Sequence, residues 1–216
     1  DNVCTSVGLS FKNLMNMCLS LKETCQMSST APLLGCANYT VGLGFLQSSI
    51  MGVYLGVTTY LMSMAEYGLH TSMFYQAIAR YNIENIYLTG KMFKYALNKN
   101  SMGKINLKTL RNLMLSWSGC RADPSLLSKF KETLVLSNVK SKTISHIYDH
   151  KMNPMISTRS FLSFAPVVLW LDPYGLSQGY ISIVNPKDAP NAIPVVDSGV
   201  VSVNTEVVVV NPQTEE

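Results

Sequence analysis

From Ser10 to about residue 163 the apolar residues of this chain switch repeatedly between helical and strand periodicity, with short breaks between. That alternation constrains the fold most, because a chain that keeps trading a 3.6-residue period for short β-branched runs builds sheets covered by helices. Ser10 predicts a helix cap, with Phe11, Leu14, Met15, Cys18, Leu21 and Cys25 recurring at three- and four-residue spacing. A short strand follows at Pro32–Cys36, then a Gly-rich helix over 41–55 and a β-branched strand at Val57–Met62. Phe74, Ala77, Ile78 and Tyr81 mark one helical face, ahead of a strand at Asn85–Leu88. Leu113–Trp117 reads as a buried strand, Asp123-Pro124 as a helix start lined by Leu126, Leu127, Phe130 and Leu134, and Thr143–Tyr148 as a further strand. The fold class is therefore α/β, layered sheets with flanking helices, over residues 1–163.

Beyond Phe164 the texture changes. Val167–Leu171, Tyr180–Val184 and Glu206–Val210 are β-branched runs parted by Pro, Gly, Asn and Asp, which predicts a β-rich segment without helices over 164–216. Charged residues make up only 14% of the chain against 47% hydrophobic, so some of its surface is expected to be covered in the intact molecule. No apolar run reaches the roughly 18 to 20 residues that span a bilayer. The longest, 41–64, is interrupted by Gly42, Gly44, Gly52 and Gly56. The chain opens on Asp1-Asn2-Val3 and reads as a fragment of a longer polypeptide. Five cysteines without a C-x-x-C pair fit reduced thiols and an intracellular setting, cytoplasmic or organelle-associated. In that setting the Asn38-Tyr39-Thr40 glycosylation triplet is idle.

The net charge of +4 is scattered, and the densest basic spot, Lys140-Ser-Lys142, reads as a solvated loop and not a nucleic-acid surface. His146, Asp149 and His150 have helical metal-ligand spacing but fall on a strand running into a loop, where that spacing does not converge. G-x-S-x-G and P-loop motifs are absent, and Gly42-Leu43-Gly44 is too short and apolar for a dinucleotide fingerprint. Trp117-Ser118-Gly119-Cys120 is better placed, at the carboxyl end of a buried strand where α/β sheets bind ligands. From spacing alone a plain tight turn is the better explanation.

Taken in order, several segments resemble consecutive landmarks of the fatty-acyl-AMP ligases. Ser10-Phe-Lys-Asn-Leu14 resembles the helix start after their phosphate loop. Gly42-Leu-Gly44 through Tyr54-Leu-Gly56 resembles their Gly-rich helix, and Phe74–Tyr81 the helix after it. Leu113–Gly119 is similar to the strand that packs against adenine, and Tyr148 stands where their conserved aromatic is expected. Val195–Pro212 resembles a further landmark. Lys22–Met27, Gly42–Leu46, Asn153–Ser160, Leu169–Asp172 and Asp197-Ser-Gly199 are closer still to fungal members of the disco-interacting-protein-two family, large multidomain eukaryotic proteins with tandem ligase-like domains.

The resemblance implies an ATP edge at Ser118, Gly119, Cys120, Arg121, Tyr148 and Asp149, and an acyl chain against Tyr39, Gly42, Leu43, Phe45 and Leu46. It implies ATP and Mg²⁺ as cofactors of the parent family, none required by this segment. It implies a fatty acid or acyl lipid and further domains of the same polypeptide as partners, and a role in diacylglycerol balance. The departures from the ligase pattern are chemical. The phosphate loop would precede or overlap Asp1, the His-Asp dyad is replaced by Tyr39-Thr40, and the Mg²⁺-holding Glu falls at Met152 or Asn153. No catalytic residue and no metal ligand is therefore assigned. Three functions stay open: an acyl-adenylating module, a degenerate ligase-like domain that binds a lipid, and a scaffold or interaction domain. The departures favour the second.

Overall fold

The computed structural model describes residues 8–37, 39–40, 42–99, 105–117, 123–162, 166–211 and 213–214. Three of its helices end on a left-handed residue other than glycine. Helices α1 (Phe11–Thr24), α5 (Thr71–Arg80) and α7 (Pro124–Leu136) are each followed by a left-handed residue: Gln26, Asn82 and Asn138. The next amide then bonds back into the last turn, Met27 N–H to Lys22 O, Ile83 N–H to Ile78 O and Val139 N–H to Leu134 O. That pattern satisfies the otherwise orphaned carbonyls of a helix end. The starts are as legible. Ser10 accepts from the Asn13 amide, and Asp123 from the amides of Ser125 and Leu126 with Pro124 at the first helical position.

The larger sheet has the order β3-β4-β5-β6-β9. Strands β3 (Asn85–Thr89), β4 (Asn112–Ser116) and β5 (Ile144–Tyr148) run parallel and are buried at nearly every position, as parallel strands covered on both faces must be. β6 (Ser157–Thr158) returns antiparallel along β5, and β9 (Val200–Val201) pairs antiparallel with β6. A parallel pair, β1 (Leu33–Gly35) and β2 (Thr59–Leu61), and an antiparallel pair, β7 (Val168–Leu171) and β8 (Ile193–Val196), form two small sheets. Between β1 and β2 runs a helical stretch: α2 (Gly42–Phe45), a π-helical turn (Leu46–Ile50) and α3 (Met51–Leu55). Helix α4 (Met64–Leu69) packs on α5 through buried Tyr67 and Phe74, edge to face, and the Tyr67 hydroxyl donates to Met92 O of α6 (Gly90–Asn98).

Two polar ties lock the layers. Buried Asn112 donates to Asn85 Oδ1 at 2.8 Å and to Cys25 O at 2.9 Å, while Gln47 of the π-helical turn donates to Asn85 O. These buried amide bonds tie α1 and the 42–55 helix to the sheet. The second tie joins β6 to the far segment. The buried Arg159 guanidinium pairs with Asp197, whose carboxylate also accepts from the Gly199 amide at 2.9 Å. Gly199 has φ +86°, and a Cβ there would lie 2.2 Å from Thr158 O, so β6 and the 197–199 turn approach closer than any side chain allows.

The architecture is mixed α/β with layered sheets and flanking helices, as the alternation implies. Four readings of the sequence need correction. Phe11 and Met15 of α1 are exposed, 86% and 39%, because the residues that meet the core begin at Leu14 and continue through Met17, Cys18 and Leu21. Tyr180–Val184 is an irregular stretch held by a single bridge from Ile183 to Leu171. Glu206–Val210 forms no strand, and Val207 to Val210 are exposed; a β-branched run without a partner strand has no ladder to join. Residues after Phe164 do include a helix, α8 (Pro173–Ser177), capped by Asp172 with Pro173 at its first position. The Phe130 side chain and Val41 lie outside the described residues.

Candidate functional site at the carboxyl edge of the parallel strands

Parallel pairing with Thr89 opposite Ser116 and Ser116 opposite Ile147 brings the carboxyl ends of β3, β4 and β5 level. Polar side chains gather there. Asp149, the first residue past β5, accepts the Ser116 hydroxyl on Oδ1 at 2.6 Å and the Tyr87 hydroxyl on Oδ2 at 3.2 Å. Burial, and then the neighbouring Asp149 charge, raise the Tyr87 phenol well above its ordinary pKa, so it stays a donor. Beside this trio, Trp117 donates its indole N–H to His146 Nδ1 at 3.1 Å, the two rings stacked with centroids 6.3 Å apart. Burial, reinforced by the charges of Arg159 and Lys131, lowers the His146 pKa to about 4. At neutral pH it is an uncharged ring accepting at Nδ1, with its proton on Nε2. Phe93 meets Trp117 edge to face.

The loop after β5 is closed on itself. The His150 amide donates to Asn153 O at 2.9 Å and the Met152 amide to His150 Nδ1 at 3.2 Å, and the Ile156 amide returns to Tyr148 O. Gly42, at φ +54°, begins α2 against this loop, its missing Cβ 4.0 Å from His150 O. Next to it lies a cavity of about 300 Å³ between α1, at Asn16 and Ser20, Leu46, and the loop residues Met152 and Asn153.

The structure therefore brings Tyr148, Asp149, Gly42 and Leu46 of the sequence-derived site to one edge. Tyr148 is 58% exposed at the end of β5. Leu43 is wholly in the core, whereas Phe45 and Tyr39 are exposed. Ser118, Gly119, Cys120 and Arg121 lie outside the described residues. Tyr87 and Ser116 join the site without having been singled out, and Trp117 and His146, each noted separately in the sequence, meet there as a pair. Their signal was the strand register, which a single sequence does not print. Among the described residues no three His, Cys, Asp or Glu side chains converge as a metal site. Asp149 accepts one hydrogen bond on each oxygen, and neighbouring Met152 and Asn153 carry no carboxylate, so the single carboxylate here is a poor donor set for a hard cation such as Mg²⁺. No helix among the described residues is long and apolar enough to cross a membrane.

The layered fold is similar to that of solved adenylate-forming enzymes. The fatty acyl-adenylate ligase of Legionella pneumophila, solved with acyl adenylate and pyrophosphate, superposes on 96% of the chain with a TM-score of 0.78 at 13% identity, and the chain covers 36% of it. The adenylation domain of a keto acid-selecting NRPS module matches 87% of the chain with a TM-score of 0.71 at 10% identity, 36% of it being covered. In sequence the chain is similar to a diacylglycerol regulator and, more distantly, to disco-interacting proteins. It is 33% identical to the Homeostatic regulator of DAG of Saccharomyces cerevisiae over 96% of its length, and 21% identical to Disco-interacting protein 2 of Drosophila melanogaster over 98%. An uncharacterized protein of Schizosaccharomyces pombe is 34% identical over the whole chain. The chain spans about 12–14% of the length of these relatives. No family model matches it.

Proposed function

We propose that this segment belongs to a degenerate ligase-like domain that binds an acyl lipid, and at the strand edge a nucleotide, without joining them. The engagement of Asp149 carries the reading. Each of its oxygens already accepts a hydrogen bond, from Ser116 or Tyr87, and the loop that follows supplies Met152 and Asn153 in place of a second carboxylate, so among the described residues this edge offers a divalent cation one shared carboxylate and no partner for it. Adenylation needs cationic charge at the transferring phosphates, and Mg²⁺ is the usual source. Aromatic Trp117 and Tyr148 beside the strand ends suit an adenine ring, which needs no metal.

The lipid part rests on relatives. One is named a homeostatic regulator of DAG, and a structural neighbour holds an acyl adenylate. The parent polypeptide contributes further domains, and the unpaired buried thiols Cys18, Cys25 and Cys36 support an intracellular setting.

Incubating the full-length protein with ATP, Mg²⁺ and a labelled long-chain fatty acid tests the proposal. The expected outcome is saturable fatty-acid binding without acyl-adenylate. Acyl-adenylate formed at turnover rates would establish active adenylation instead.

A further inference from the structure

The opposite edge of the sheet holds a second cleft, and its charge is one-sided. Leu110 and Arg111 lead into β4 and Thr143 into β5, so this cleft of about 400 Å³ lies at the amino ends of the parallel strands, remote from the site above. That size is within the range of small-molecule sites, roughly 300–1,000 Å³. Lys108, Arg111, Lys140 and Lys142 line it, and among its described lining residues there is no Asp or Glu. Arg111 reaches Glu84 at 3.6 Å and lies 6.0 Å over the ring of Phe161, which forms part of the wall. None of the three lysines makes a salt bridge among the described residues.

Part of this positive charge has a structural use. The carboxyl ends of α1 and α7 open into the cleft through Gln26 and Asn138, and each helix end carries about half a negative charge. Two such ends offset about one of the four cations and Glu84 offsets another, which leaves about two positive charges uncompensated. Like charges lining one cleft repel, and an anion between them relieves that repulsion. A phosphomonoester carries about −1.5 to −2 at neutral pH. An Arg fork, mobile ammonium groups and the Asn138 and Thr143 side chains are the donors such a group takes.

We propose that this cleft binds the phosphomonoester group of a ligand. Two sources share that chemistry: a soluble phosphorylated metabolite, and the headgroup of a membrane lipid. The second is physically accessible because Val135 and Leu136, in the last turn of α7 just before Asn138, are 62% and 75% exposed.

The test uses the full-length protein. Calorimetry with inorganic phosphate and with glycerol 3-phosphate measures the soluble arm. Co-sedimentation with phosphatidylcholine vesicles, with and without a lipid bearing a terminal phosphomonoester, measures the membrane arm. Lys140→Gln/Lys142→Gln is compared with Lys91→Gln/Lys94→Gln, which removes the same charge from exposed positions on α6. The expected result is saturable binding in at least one arm, weakened about tenfold or more by the cleft variant and unchanged by the α6 variant. Binding in the soluble arm assigns a metabolite, and binding only to the phosphomonoester vesicles assigns a lipid headgroup. No saturable binding in either arm overturns the proposal, as do equal losses in the two variants, which would mean diffuse charge.

Discussion

His146 and Asp197 titrate in different windows, and that separates two residue-level contributions to stability. The folded His146 pKa, about 4, lies below its ordinary 6.5, so between those values the unfolded chain binds a proton that the folded chain refuses. The contribution is complete above pH 6.5 and is lost as pH falls toward 4, about 3 kcal/mol in all. Urea unfolding across that range should show the decline in the wild-type chain and a flatter profile in His146→Gln. An unchanged slope would mean that the imidazole is not held neutral. Asp197 acts at lower pH. Burial opposes its charge, but hydrogen bonds from the Val167 amide, Arg159 and the Gly199 amide outweigh burial and hold its carboxyl below the ordinary value. Its stabilisation is present above the unfolded pKa and disappears as pH falls through the folded one. Asp197→Asn should cost about 1.5–3 kcal/mol at neutral pH, the range for hydrogen bonds to charged groups. A midpoint shift in the same urea experiment at pH 7 reads it out, and a neutral effect would show that the Arg159 contact is not stabilising.

At the scale of elements, the turn at Gly199 should be the least tolerant position in the chain's second half. A Cβ there meets Thr158 O at 2.2 Å and Thr158 C at 2.6 Å, both backbone, and φ is already +86°. Gly199→Ala should therefore destabilise by at least about 2 kcal/mol, combining left-handed strain with displacement of β9 from β6. An alanine variant with a wild-type unfolding midpoint would refute the close approach. Neither partner of that contact is visible as such in the sequence, although Asn153–Ser160 and Asp197-Ser-Gly199 both stood out as family-like strings. Resemblance marked the two strings, and only the fold shows that they hold one another through Arg159 and Asp197. Local signals were legible wherever the chemistry is local. The caps at Ser10 and Asp123 and the strands at 85–89, 112–116 and 144–148 follow from neighbouring residues. The Asp172-Pro173 start of α8 carries the same capping signal as Asp123-Pro124 and was hidden only by its β-branched surroundings. Val207–Val210 failed for the opposite reason, since strand formation there depends on a partner that composition cannot reveal. The candidate site was half legible: Tyr148 and Asp149 come from sequence order, whereas Tyr87, Ser116 and His146 meet them only through parallel register.

At the scale of the whole molecule, burial is unevenly shared. The five-stranded sheet and its helices contain nearly all the fully buried side chains, whereas the β7–β8 pair has Leu169, Val195, Ile181 and Ile183 exposed around it. An isolated two-stranded sheet is marginal in water, and an apolar surface left this open usually belongs against something else. The chain covers 36% of the ligase structure it superposes on and about 14% of its fungal relatives, and in proteins of that length further residues are available to cover such a surface. The residue-level ties do not substitute for that cover, because Arg159–Asp197 and Ser20–Val203 anchor the segment at its edges and leave the β7–β8 faces bare. Hydrogen exchange can compare this segment alone with the same residues in the full-length protein. Amides of Asn85–Thr89, Asn112–Ser116 and Ile144–Tyr148 should be equally slow in both, since their burial is internal. Amides of Val168–Leu171 and Ile193–Val196 should exchange near the rate of open chain in the segment and become protected in the parent. Equal protection of those two strands in both forms would show that the small sheet is stable alone and that its apolar residues face water in the intact protein.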